Sequence, residues 1–170
     1  MKKGFKIFFP DYKFSKLTDI GADFFSNSHL VIFDVDNTLV FSETTETKKE
    51  IIDWFYKINN KYKCVCLSNS PSITKRKEKI RVLLGCEVFV SKHKKPFKNL
   101  FEEIKQKYNF ENSKVFVVGD RIFTDILFGN LSGAVTVLVD PLSSKENIII
   151  KAERRLEKLM LLVLKYFRYN

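Results

Sequence analysis

Asp34 and Asp36 stand one residue apart in VIFDVDNTLVFSE, directly after the apolar run Val31, Ile32 and Phe33. Such a run suits a strand covered on both faces, where an unpaired carboxylate would be desolvated at high cost. The two acids are therefore expected at the carboxyl edge of a sheet, where open α/β sheets bind ligands. Three further polar groupings follow apolar runs: Ser68 and Asn69 after KCVCL, Lys92, His93, Lys94, Lys95 and Pro96 after EVFV, and Gly119, Asp120, Arg121 and Asp125 after VFVV. Acids, the hydroxyls of Thr38 and Ser68, and a lysine converging at one edge suit a phosphate and a divalent metal. Mg²⁺ takes hard oxygen ligands and keeps waters that phosphate oxygens can replace. A lysine and small polar groups neutralise the remaining phosphate oxygens.

Those groupings meet only if the strands run parallel, and the order of elements predicts that they do. Apolar runs place strands at 30–34, 63–67, 87–90, 115–118 and 134–139. Helical spacing places helices at 47–60, with Thr47 as cap and Glu50 three residues on, at 72–84, closed by Gly85, and at 97–108. A short helix is expected at about 124–131 and a long one at 145–168. Strands alternating with helices imply right-handed crossovers and a doubly wound parallel α/β sheet of about five strands in a single domain, 30–170. Residues 1–29 do not fit the alternation. Phe5, Ile7, Phe8, Phe9, Tyr12, Phe14 and Leu17 make them an aromatic and basic arm.

The chain has 170 residues, 45% of them hydrophobic, which is enough for a substantial core in one domain. Its three cysteines, Cys64, Cys66 and Cys86, have neither a disulfide framework nor metal spacing and are expected to be core residues in a reducing compartment. Lys6, Pro10 and Asp11 break the first apolar stretch, so it fails as a signal peptide. The run from Leu159 to Leu164 is far short of the roughly 20 residues that span a bilayer. A cytoplasmic protein is expected, peripheral at most on the inner face of the membrane. The net charge of +10 favours phosphorylated partners, nucleic acid or anionic lipid, unless the lysines simply solvate the surface.

DVDNT, LSNS, KKP and GDRIFTD, in that order, resemble the four motifs of the haloacid dehalogenase superfamily over roughly 31–140. The resemblance implies that Asp34 is a nucleophile that forms an aspartyl phosphate and also binds Mg²⁺. It implies that Asp36 is the general acid and then base, with its backbone carbonyl on the metal, and that Asp120 is a further metal ligand. Ser68 would bind the phosphoryl group, and Lys95, chosen over Lys94 because it precedes Pro96, would hold its charge and that of Asp34. Asp125 would orient Lys95 or a metal water, while Thr38 and Asn69 would position the loops and the phosphate. Taken singly, Asp34 and Asp36 could be turn formers, Asp125 a helix cap, and Ser68 and Asn69 plain turn residues. Four matches in order favour the site.

Members of that superfamily with a lid insert it between the first and second motifs or between the second and third. Here those gaps hold one helix and one helix-strand unit, too little for a lid domain. An open site suits a phosphate carried on something large: a protein, a nucleic-acid end or a lipid head group. The Pro-Asp pair in FFPDYKF, GDRIFTDILFGNLSGAVTVLVDPL and AERRLEKL are similar to the subfamily III A group of YqeG-type phosphatases, which includes phosphatidylglycerophosphate phosphatases. That resemblance implies conversion of phosphatidylglycerophosphate to phosphatidylglycerol.

Two features of the ends fit an anionic surface. Lys2, Lys3, Lys6, Lys13 and Lys16 are interleaved with aromatic residues, and the last helix joins Lys151, Arg154, Arg155, Lys158, Lys165 and Arg168 to Leu156, Leu159, Leu161, Leu162 and Leu164. Leu156, Leu159 and Val163 are nevertheless expected to pack on the sheet as an ordinary covering helix. A receiver-type signalling domain is disfavoured because EVFVSKHKKP offers no aspartate after the third strand. A nucleic-acid-binding module would rest on KRKEKIR, Lys75 to Arg81, a run expected to be a solvated helix face.

Overall fold

The computed structural model describes residues 3–110, 114–143 and 148–169. Six parallel strands form one sheet in the order β1-β6-β5-β2-β3-β4: β1 (Tyr12–Phe14), β2 (Leu30–Asp34), β3 (Cys64–Leu67), β4 (Val88–Phe89), β5 (Val115–Gly119) and β6 (Val135–Val139). The helices between them are α1 (Lys49–Lys61), α2 (Ile73–Leu84), α3 (Lys98–Tyr108) and α4 (Leu127–Leu131), and α5 (Ile148–Tyr169) ends the chain. A π-helical turn, Ile122–Ile126, leads into α4.

Alternate residues of the central strand sort the core into two layers. Val31 and Phe33 face Trp54, Phe55 and Ile58 of α1 and Ile80 and Leu84 of α2, while Leu30 and Ile32 face Leu100, Phe101 and Ile104 of α3 and Phe128 of α4. This is the doubly wound arrangement that the order of elements predicts, and it buries all five residues of β2. Every parallel strand delivers its last residues to one edge, so the four polar loops share it.

The structure adds a sixth strand, β1, drawn from the arm. Asp11 explains how a strand of three residues holds its place: its carboxylate accepts from the Thr136 N–H and hydroxyl, at 2.8 and 3.0 Å, beside the β1–β6 ladder. Asn130 donates to the carbonyls of Ile7 and Phe9. Leu17, Ile20 and Phe25 are fully part of the core, and Trp54 donates its indole N–H to the Ile20 carbonyl at 2.8 Å. The arm thus completes the sheet edge and one core layer.

Two expectations are corrected. Thr47 does not cap α1, which begins after an extended Lys48 with no side-chain capping bond. Leu156, Leu159 and Val163 do not pack on the sheet; they are exposed, as is Leu162. The inward face of α5 presents Glu157, Met160 and Leu161 instead, against the layer that contains Ile122, Ile126 and Leu138. A helix apolar on two sides can be placed either way round by periodicity, and here Glu157 decides it: its carboxylate accepts from the Phe123 N–H at 3.0 Å and pairs with Arg121. The side chains of Lys2, Lys3 and Phe5, and of Lys151, Lys158, Leu164, Lys165 and Arg168, lie outside the described residues. Among the described residues, no helix is long and apolar enough to cross a membrane.

Candidate active site

Asp34 is the last residue of β2, and its neighbours on either side are β3 and β5. The chain then turns sharply: Asn37 adopts a positive φ of 63°, and the N–H groups of Leu39 and Val40 both donate to the Val35 carbonyl. An asparagine tolerates the left-handed region better than most side chains, which accounts for its place in DVDNT. Val35, Leu39 and Val40 are buried beneath the turn, so its apolar residues anchor it while Asp34 and Asp36 remain at the edge.

Four loops then close on one point. Lys95, brought by the loop after β4, is buried and donates to Asp34 Oδ1 at 2.5 Å and to Asp125 Oδ1 at 2.6 Å. Asn69, from the loop after β3, exchanges two hydrogen bonds with the Lys95 backbone, at 2.8 and 2.9 Å, which fixes the lysine's approach. Asp120 follows β5, and the Thr38 hydroxyl donates to its Oδ1 at 3.3 Å. Asp125, from the π-helical turn, also accepts from the Arg121 N–H at 3.0 Å. Gly119 makes room for it: a Cβ there would lie 2.3 Å from the Asp125 Cγ.

Asp34, Asp120 and Asp125 each place a carboxylate oxygen within 4.8 Å of the others, and all three are buried. Burial pushes the Asp34 carboxyl well above its ordinary range, against the pull of Lys95, and the charges of Asp125 and Asp120 add to the rise. Burial likewise raises Asp120 to about 6, opposed by the guanidinium of Arg154. Burial works against the Lys95 ammonium, but the carboxylates of Asp125 and Asp34 outweigh it and its pKa rises. A site that holds three acids within a few ångströms gains from a further positive charge, and an all-oxygen donor set suits a hard divalent cation.

The predicted residues divide into two groups. Asp34, Lys95, Asp120 and Asp125 form the buried cluster. The Asp36 carboxylate stands apart from it, accepting from the Ser68 hydroxyl at 2.7 Å and from Arg76 Nη2 at 3.0 and 3.2 Å. Ser68 and Asn69 line the cleft above the acids, which has a volume of about 390 Å³. Thr38 does not line it; it is buried, with its hydroxyl on Asp120.

Several residues at the site escaped the sequence reading, among them Arg154, Glu153, Arg76 and Glu43, whose N–H donates to Asp36 Oδ1 at 2.9 Å. Arg154, from α5, contacts the Asp120 carboxylate and donates to its backbone carbonyl at 2.8 Å, and Glu153 beside it pairs with Arg121. Arg76 lies in the run expected to be a solvated face, yet it is buried. Its signal was present: Ile73, Arg76, Ile80 and Leu84 fall at helical spacing on one side of α2, so the arginine sits on the apolar stripe.

Comparison with known proteins places the chain among phosphatases. The family described as mitochondrial PGP phosphatase matches residues 3–142, which include β1 to β6 and all the predicted site residues. The chain is 28% identical over 163 residues to the probable phosphatase YqeG of Bacillus subtilis, covering 94% of this chain and 93% of that one. It is 31% identical over 148 residues to the chloroplastic/mitochondrial phosphatidylglycerophosphate phosphatase 1 of Arabidopsis thaliana, covering 77% of this chain and 40% of that one. A shorter match, 38% over 61 residues, links it to phosphoglycolate phosphatase 2 of the same plant, covering 35% of this chain and 20% of that one.

Proposed function

The chain belongs to the mitochondrial PGP phosphatase family and is a phosphatase, and from that premise we propose that it removes the terminal phosphate of phosphatidylglycerophosphate through an aspartyl phosphate on Asp34. The observation that carries the reading is the pairing of Asp34 with the buried Lys95 at the floor of an open cleft. Lys95 engages Oδ1 of Asp34, so Oδ2 is the oxygen that attacks phosphorus. Splitting a displacement into formation and hydrolysis of a covalent intermediate replaces one hard step by two easier ones.

Each neighbour has a part. Lys95 balances the charge of Asp34 and of the arriving phosphate, and Asp125 holds Lys95 in place. Ser68 donates to a phosphoryl oxygen, while Thr38 and Asn69 act through Asp120 and Lys95. Asp36 protonates the leaving oxygen and afterwards takes a proton from the attacking water. A divalent cation, Mg²⁺ in this reading, would be held by Asp34, Asp120 and the Asp36 backbone carbonyl and would neutralise phosphoryl oxygens.

The lipid part of the proposal is supported by the surface as well as by the relatives. Leu156, Leu159, Leu162 and Val163 lie exposed on α5, the helix that brings Arg154 to Asp120, and Arg155 is exposed among them. An apolar stripe flanked by basic charge suits an anionic bilayer surface. Phosphate release should be compared on phosphatidylglycerophosphate in vesicles and on soluble monoesters, with Mg²⁺ and with EDTA. The expected result is a strong preference for the vesicles, abolished by EDTA and by Asp34→Asn. Equal rates on both substrates would remove the lipid reading, and full activity in Asp34→Asn would remove the covalent one.

A further inference from the structure

Asp36 is held by a frame that reaches well beyond the four loops. Its Oδ1 accepts from the Glu43 N–H at 2.9 Å and from Arg76 Nη2 at 3.0 Å; its Oδ2 accepts from the Ser68 hydroxyl at 2.7 Å and more distantly from Arg76. Arg76 is itself fixed on other sides. Nη1 donates to the Thr44 carbonyl at 2.6 Å and Nε to the Ser72 hydroxyl at 2.8 Å, and Ser72 donates in turn to Glu43 at 2.5 Å. The guanidinium therefore ties α2 to the segment after β2, with only 9% of the residue exposed. Burying an arginine on the apolar stripe of a helix is costly unless the charge is paired, and the partners here are Asp36 at 3.0 Å and, more distantly, Glu43 at 3.7 Å.

We propose that Arg76 is a positioning residue for Asp36, which it orients for proton transfer to the leaving oxygen. The inference rests on the acid and base roles of Asp36 given above. Arg76 and the Glu43 N–H converge on Oδ1, so Oδ2 is the oxygen left for the reaction once Ser68 turns its hydroxyl to an arriving phosphate. In the first step the bond from Asp34 Oδ2 to phosphorus forms as the bond from phosphorus to the leaving oxygen breaks. The electron pair left on that oxygen takes a proton from Asp36 Oδ2, which Asp36 received from the attacking water of the preceding turnover, or from solvent through the open cleft in the first. In the second step water attacks the phosphoaspartate, its proton passes to Asp36, and the Asp34 carboxylate is regenerated with inorganic phosphate. A donor that swings free of its frame reaches the leaving oxygen in a smaller fraction of encounters, and small displacements of a catalytic group cost large factors in rate.

The test uses the dependence of kcat/KM on the leaving group, because that ratio reports the step in which the leaving oxygen needs its proton. A nitrophenolate departs without help and an alkoxide does not. Arg76→Met should lower kcat/KM on an alkyl phosphate at least 10-fold more than on p-nitrophenyl phosphate. Arg76→Lys should recover part of the difference. Ser72→Ala, which keeps the guanidinium but removes the partner of its Nε, should show the same split on a smaller scale and guards against a misfolded Arg76 variant. Equal losses on the two esters, or none, would mean that Arg76 serves the fold alone and would overturn the proposal. Asp36→Asn on the same esters separates the two levels of the argument. If it shows the split and the Arg76 and Ser72 variants do not, only the Arg76 proposal fails; if Asp36→Asn shows no split, the acid role of Asp36 fails and takes this proposal with it.

Discussion

Replacing Lys95 with Met is the most informative single change to the buried cluster. The Nζ lies 2.5 Å from Asp34 and 2.6 Å from Asp125, and the three side chains are 2%, 10% and 1% exposed. Solvent does not screen these contacts, so the small values typical of surface ion pairs do not apply. Methionine fills similar volume but leaves two carboxylates facing each other without their cation. Breaking a buried pair in this way costs roughly 3–5 kcal/mol. For a chain of this size each kcal/mol lowers the melting temperature by about 2–4 °C, so a fall of roughly 6–20 °C is expected. Calorimetry on the metal-free protein measures it directly. Two controls identify the cause. Adding Asn at position 125 in the Lys95→Met background removes one of the stranded charges and should restore at least about 1 kcal/mol, within the range of coupling between touching groups. Adding Mg²⁺ should narrow the gap between variant and wild type, since a cation held by Asp34 and Asp120 beside Asp125 replaces part of the lost charge. A variant that melts within about 2 °C of the wild type, or a double variant no more stable than the single one, would refute the electrostatic reasoning.

Other changes probe the same cluster from different sides. Gly119→Ala drives a Cβ to within 2.3 Å of the Asp125 Cγ, and Asp125 cannot retreat because it is buried and held by Lys95 and the Arg121 N–H; a loss of about 1–3 kcal/mol in stability, with a larger proportional loss of phosphatase activity, is expected on assay of the purified variant. The metal-free protein should become more stable as the pH falls from 7.5 toward 5. Asp120 has a folded-state pKa of about 6, above its unfolded value, so the folded state binds the extra proton in that window. Thermal melts across the range should show the rise in the wild type and a weaker one in Asp120→Asn. The lowered carboxyl of Glu43 works in the opposite direction, but only at more acidic pH. Added Mg²⁺ should flatten or invert the trend, because protons and the cation compete for the same oxygens.

The sheet and its site edge were legible because buried parallel strands are short apolar runs and because carboxylates, hydroxyls and a lysine stood directly after them. VIF, CVCL and VFVV all became strands with their polar sequels on one side. β1 was not legible. Tyr12–Phe14 is largely exposed and three residues long, and what fixes it is a contact between Asp11 and Thr136, 125 positions apart. Nor could the sequence orient α5, since leucines lie on both of its sides and the choice falls to Glu157 and Arg154, whose partners are known only in three dimensions. Arg76 shows a different obstacle. A run of basic residues reads as a solvated face, although one of them shares the periodicity of Ile73 and Ile80.

The central claim is that Asp34 carries the phosphoryl group during turnover. Enzyme quenched in acid during turnover of phosphatidylglycerophosphate, then reduced with borohydride, should yield a peptide in which Asp34 alone has become homoserine, as an acyl phosphate at that side chain requires. Modification at another residue, or rapid turnover with Asp34 never modified, would contradict the account.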